Sequence, residues 1–203
     1  KALDYLSNKT PKVKTVLQDM TDKLNFNDNE FDIVFANLSI HFFNEEDTQK
    51  LLNEIHRILK PNGIFSAFEP VIRSNTKCWE LVESNELSDY EDFKKAEDEF
   101  MSSDSDPLTN FDELTISKCL QEIGFTDGVL DKQVVESSYI VQKGMVESWL
   151  TIPPSPGTKT TKEKFLMYFD EAKVNNYILE LQQALENNSI TIKSNVLYIK
   201  AIK

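Results

Sequence analysis

The chain has 203 residues, 40% of them hydrophobic, and a formal charge of −12. That suits one good-sized domain or a domain with a small lid, and the longest apolar runs fall far short of the ~20 residues that a membrane helix needs. Between Trp79 and Glu113 thirteen acids stand against Lys94 and Lys95 alone; such a field repels a phosphate backbone, which argues against nucleic acid and leaves a solvated helical face or the steering of a cationic substrate.

Residues 1–9 read as the tail of a helix, and "KVKTVL" (12–17) alternates and is β-branched, so a strand is expected there. An Asp- and Asn-rich loop follows over 18–30. "FDIVFAN" (31–37) is almost continuously apolar, as a strand covered on both faces should be. Asn44 then reads as an N-cap, with Glu45, Glu46 and Asp47 in the positive first turn. Leu51, Leu52, Ile55, Ile58 and Leu59 recur at helical spacing until "KPNG" (60–63) breaks the pattern. "IFSAFEP" (64–70) is the next strand, and the short connections argue for parallel neighbours.

The acidic stretch 75–105 reads as helix running into the loop "SSDSD" (102–106). A helix is expected over 110–125, capped by Asn110 and stopped by Gly124; Ile116, Cys119, Leu120 and Ile123 form its buried face, which makes Cys119 a core residue. Residues 127–141 read as a strand, 144–152 as a short helix, 160–186 as one or two helices and 189–203 as a final strand. The two cysteines, Cys78 and Cys119, have neither metal nor disulfide spacing and read as reduced thiols of a cytoplasmic protein. Two histidines and no CxxC give no transition-metal site. The N-terminus has no signal-peptide pattern and does not begin with Met, so the chain reads as entered part-way.

Three pieces, "VLQDMTDKLNFNDNEFDIVFANLSIHFF", "LLNEIHRILKPNGIF" and "LQEIGF" before an extended strand, resemble the class I S-adenosylmethionine-dependent methyltransferases, in particular the small-molecule branch with a type 11 core. The resemblance covers residues 1–70 well and 110–140 loosely. It implies an α/β, Rossmann-like sheet in the order 3-2-1-4-5-7-6 with strand 7 antiparallel. Strand 3 would fall at 12–17, strand 4 at 31–37, strand 5 at 64–69, strand 6 near 128–140 and strand 7 at 190–202. The whole chain, 1–203, then reads as a partial methyltransferase domain, with 142–187 as a helical, lid-like insertion between the last two strands. The family's glycine-rich turn after strand 1 and the acid after strand 2 have no counterpart, the first glycine being Gly63. Strands 1 and 2 are therefore expected to be missing from this sequence, and a fragment without them is expected to be inactive alone.

The resemblance also implies site residues. Asp19 would accept from the adenine amino group of S-adenosylmethionine, and the Met20 amide would reach the ring; Asp19 equally suits an ordinary turn cap. Asn37 and Leu38 would hold the methionine half of the cofactor, or Asn37 merely closes its strand. His41 could act as base or orient a nucleophile, since imidazole titrates near neutral pH; it could also be a packed histidine at a helix start. Glu69 could recognise a hydroxyl or amine of a small-molecule acceptor, or cap the next helix. Phe42, Phe43, Tyr139 and Trp149 are candidates for an apolar acceptor pocket, and His56 reads as structural. No metal, nucleic acid or membrane is implied. A non-catalytic methyltransferase-like subunit, or another nucleotide-binding α/β protein, would share many of these features. The sequence does not speak to the acceptor atom, the pathway or the oligomeric state.

Overall fold

The computed structural model describes residues 13–154 and 157–203. Phe31–Asn37 forms strand β1, and helix α1 (Glu45–Ile58) follows, with the Asn44 side chain accepting from the Asp47 amide at 2.8 Å. This is the cap read from the sequence, and it satisfies one of the orphan donors of the first turn. Leu51, Leu52, Ile55 and Ile58 are all buried, which removes the apolar stripe of α1 from water. Each such side chain contributes roughly 1.5–3 kcal/mol.

Strand β2 spans Leu59–Pro70, earlier than "KPNG" suggests. Leu59 pairs with Phe31, the register then shifts, and Ile64 pairs with Ile33. Asn62 takes φ +65°, and a Cβ on Gly63 would lie 2.8 Å from the Lys60 carbonyl oxygen. The apparent helix breaker is thus an irregularity within the strand, where only glycine fits against the backbone.

Beyond β2 the acidic stretch is not one helix. Short 3-10 turns at Ile72–Ser74 and Cys78–Leu81 precede α2 (Tyr90–Met101). A single turn, α3 (Pro107–Asn110), is capped by Asp106, and α4 (Glu113–Ile123) is capped by Asp112, whose side chain accepts from the Thr115 amide at 2.9 Å. The cap expected at Asn110 therefore moves to Asp112, because Asn110 is consumed as the last residue of α3. Gly124 ends α4 at φ +98° as expected, and Cys119 is a core residue. His56 is half-buried, edge-on to Phe125.

Strand β3 (Thr126–Ile140) and strand β4 (Ser189–Ile202) form a long antiparallel ribbon. Between them lie α5 (Met145–Thr151), α6 (Thr161–Phe165) and α7 (Glu171–Leu185). The sheet order is β1-β2-β4-β3, with β1 and β2 parallel and β4 antiparallel to both its neighbours. These four occupy the segments expected as strands 4, 5, 7 and 6.

The strand expected over 12–17 does not form: Lys12 lies outside the described residues, and 13–17 have no regular structure. Alternation makes a strand only where a neighbour completes its ladder. Among the described residues no strand pairs with the outer edge of β1, and Leu17 is 87% exposed. The helix tail expected at 1–9 also lies outside the described residues.

Two cores result. One packs α1 and α4 against one sheet face through Ile40, Leu52, Phe65, Ile116, Leu197 and Ile199. The other is helical, built from Phe93, Phe100, Val146, Leu150, Phe165 and Tyr177 together with Ile190 of β4. The opposite sheet face is open, with Ile33 61% and Phe35 64% exposed. No helix among the described residues is long and apolar enough to cross a membrane.

Candidate active site

The carboxyl ends of parallel strands are where an open α/β sheet builds its sites, and here the tips of β1 and β2 are tied together. After Asn37 the chain turns sharply at Leu38, which takes φ +52° although it is not glycine. The Leu38 amide donates to the Phe68 carbonyl at 2.9 Å. Left-handed backbone at a branched side chain costs about 1–2 kcal/mol, and Leu38 is exposed, so packing does not repay it. Replacing Leu38 with glycine should therefore stabilise the protein by up to about 1 kcal/mol, after the extra entropy of glycine is counted. Urea denaturation checks this; a loss of stability would show that the leucine side chain makes a supporting contact.

The turn is held from below by Glu69. Its carboxylate, 0% exposed, accepts from the Ser39 amide at 3.0 Å to each oxygen, from Ile40 at 3.0 Å and from His41 at 3.4 Å. It also meets His41 Nδ1 at 2.7 Å. A buried carboxylate persists because amides and an imidazole replace its hydration. With Nδ1 donating to Glu69, Nε2 of a neutral His41 is the lone-pair nitrogen. The His41 ring is 4% exposed and lies 3.9 Å from that of Phe42.

Beside β1 runs a groove of about 670 Å³, lined by Gln18, Met20, Phe35, Asn37, Ser39 and Ile55 among others. Gln18 and Asn37 thus share one crevice. Glu69 does not line it; it sits beneath the 39–41 turn and fixes Ser39 at the wall. Asp19 stands next to the lining residues and caps a turn: its Oδ1 accepts from the Thr21 amide at 2.9 Å and the Thr21 hydroxyl at 2.7 Å. Those bonds hold its carboxyl below the ordinary value. The four candidate aromatics fall into two groups. Phe42 is exposed and Phe43 packs on the sheet core, while Tyr139 and Trp149 meet edge-to-face in the helical lobe at 5.8 Å.

Sequence reading missed a second buried carboxyl. Glu97, 3% exposed on the inner stripe of α2, accepts from the Cys78 amide at 3.0 and 3.1 Å and the Trp79 amide at 3.4 Å. It holds the start of the 78–81 turn much as Glu69 holds the start of the 40–42 turn. The readable signal was an acid among Phe93, Ala96 and Phe100 at helical spacing.

Desolvation pushes the Glu97 carboxyl up from 4.5 to about 7, against the amides, the Cys78 thiol and Lys77, which favour its charge. Between those values the folded protein binds a proton that the unfolded chain has released. The contribution of Glu97 to stability is therefore full below about pH 4.5 and falls as pH rises to about 7, by on the order of 3 kcal/mol. Chemical denaturation at pH 5 and pH 8, compared with Glu97→Gln, should show this slope only in the unsubstituted protein.

Residues 1–67 match the sequence model of the "Methyltransferase domain" family. An uncharacterised methyltransferase of Synechocystis sp. is 32% identical over 65 residues, 32% of this chain and 31% of that protein, so the chain spans under a third of that relative. Among solved structures, the YcgJ protein of Bacillus subtilis superposes with a TM-score of 0.51 at 15% identity, over 98% of this chain and 76% of that one. Phosphoethanolamine N-methyltransferase 2 of Haemonchus contortus, solved with S-adenosyl-L-methionine, gives a TM-score of 0.49 at 21% identity, over 100% of this chain and 40% of that one.

Proposed function

We propose that this chain is part of a class I S-adenosylmethionine-dependent methyltransferase and serves methyl transfer from S-adenosylmethionine to a small-molecule acceptor. The observation that supports it best is the strand-tip arrangement: a groove of about 670 Å³ shared by Gln18, Met20 and Asn37, beside a turn clamped by Glu69. The groove has the size of ordinary ligand pockets. Its mixture of apolar wall (Met20, Phe35, Ile55) and amide and hydroxyl groups (Gln18, Asn37, Ser39) suits a molecule with a flat base at one end and an amino acid at the other.

When bound, S-adenosylmethionine supplies a methyl group already activated by its sulfonium. In this reading the Asn37 amide and the Leu38 carbonyl hold the amino end, and the Asp19 carboxylate and Met20 amide hold the adenine. His41 Nε2 accepts the proton that the acceptor gives up, while Glu69 keeps the proton on Nδ1 and orients the ring. Glu69 thus acts through His41 and touches no acceptor. Phe42 and Phe43 on one side, Tyr139 and Trp149 on the other, are offered as apolar contacts. The helical lobe spanning α5–α7 serves as the lid that excludes water. Alignment and exclusion of water are most of what such a displacement asks of the protein.

Calorimetric titration with S-adenosylhomocysteine and with NAD tests the cofactor. S-adenosylhomocysteine should bind at least about tenfold more tightly, and Asn37→Ala should weaken it by about tenfold. Preference for NAD would overturn the reading in favour of another nucleotide-binding α/β protein. A screen of small methyl acceptors tests the chemistry; cofactor binding with no transfer to any of them would favour a non-catalytic subunit.

A further inference from the structure

Against the helical lobe lies an open cavity of about 600 Å³ that shares no lining residue with the strand-tip groove. It opens just beyond the end of β2, where Ile72, Asn75 and Thr76 line it. Its walls are apolar and partly aromatic, with Leu81, Phe100, Leu108, Trp149 and Ile192 among them. Glu97 is the one acid lining it among the described residues.

Above about pH 7 the Glu97 carboxyl is ionised and has acceptor capacity to spare. Three donors meet it, the Cys78 amide shared between both oxygens, the Trp79 amide at a long 3.4 Å and the Cys78 thiol, whereas an ionised carboxylate offers about four lone-pair positions. The rim carries Lys159 and Lys164. Lys164 is neutralised by Asp106 at 2.6 Å, and the Lys159 ammonium lies against the Met167 sulfur at 3.3 Å. The 79–113 stretch that supplies Glu97, Phe100 and Leu108 to the wall carries thirteen acids against two lysines, a net negative field that favours cations over anions.

We propose that this cavity is a binding site for an arylalkylamine-type ligand, its aromatic body between Phe100 and Trp149 and its ammonium on Glu97. The site is additional to the strand-tip groove; Trp149 is the one wall residue it shares with the proposed acceptor contacts, and its occupancy does not depend on cofactor binding in the groove. Burial supplies the affinity of the ring, and the charge-assisted hydrogen bond supplies the choice of head group.

The chain's two tryptophans report on it separately, because Trp149 lines the cavity and Trp79 does not. The indole N–H signals are followed by NMR at pH 8, where Glu97 has released its proton, while 2-phenylethylamine, and in a parallel arm 3-phenylpropionate, is titrated to millimolar concentration. The amine should shift the Trp149 signal saturably and leave Trp79 nearly unmoved, and the acid should bind at least about tenfold more weakly. Glu97→Gln should weaken amine binding about tenfold or more. Should that variant fail to fold, Ile72→Trp, at the half-buried wall, provides the check by filling the cavity and abolishing the shift. No saturable shift, equal or tighter binding of the acid at Lys159, or undiminished binding in either folded variant overturns the proposal. None of these results bears on S-adenosylhomocysteine binding, so failure here and failure of the groove are read independently.

Discussion

Glu69→Ala should destabilise the protein by about 3–5 kcal/mol, the range found when one member of a buried hydrogen-bonded pair is removed. The reason is the number of groups it leaves behind. The amides of Ser39, Ile40 and His41 and the Nδ1 of His41 all converge on this one carboxylate, and alanine offers none of them an acceptor. A buried donor without a partner costs about 1–3 kcal/mol, and water entering the vacated space recovers only part of that. Glu69→Gln should cost less, since one oxygen remains, but its NH2 group then faces donors and is repelled. Urea denaturation gives the energies. Hydrogen exchange locates them: in Glu69→Gln the amides of 39–41 should exchange faster, with little change in the helical lobe. A loss under about 1 kcal/mol for the alanine variant would show that the turn is held by something else.

His41→Phe should lower the rate of methyl transfer by about 10²–10⁴-fold, the usual contribution of a general base, with cofactor affinity nearly unchanged. The phenyl ring preserves the contact with Phe42 and loses both the Glu69 bond and the proton-accepting nitrogen. His41→Asn separates these losses, because its amide NH2 can still donate to Glu69 while offering no base. If the nitrogen Nε2 matters, both variants lose the rate. If His41 only packs, His41→Asn restores stability and rate together. Initial rates are compared at a temperature where every variant is folded by circular dichroism.

What the sequence made legible was the local chemistry. Asn44, with three acids behind it, could only cap a helix; Leu51, Leu52, Ile55 and Ile58 could only face a core; Gly124 could only end α4. Each signal lies within a few residues of its effect. The role of Glu69 was not legible in the same way, since its partners lie 28–30 positions earlier and only the parallel pairing of β1 with β2 brings them to it. Glu97 has the same character, reaching back to Cys78 and Trp79 from the next helix. The segment 12–17 teaches the converse: an alternating pattern is a strand only where a neighbouring strand completes its ladder, and among the described residues no strand pairs with 13–17. At 110–112 two good caps competed, and the single turn of α3 decided between them. The Asp19 and Asn37 roles came from family likeness, and the His41 role from imidazole chemistry at a strand tip, rather than from local spacing.

Strand β4 contributes Ile190 to the helical core and Leu197, Ile199 and Ala201 to the sheet core, and Asn195 between them is pinned to Ser74 and Asn75. A continuous ribbon of this kind is a shared beam rather than a hinge. The two halves of the molecule should melt in one cooperative step, and any rocking of one against the other must travel as a twist along β3 and β4.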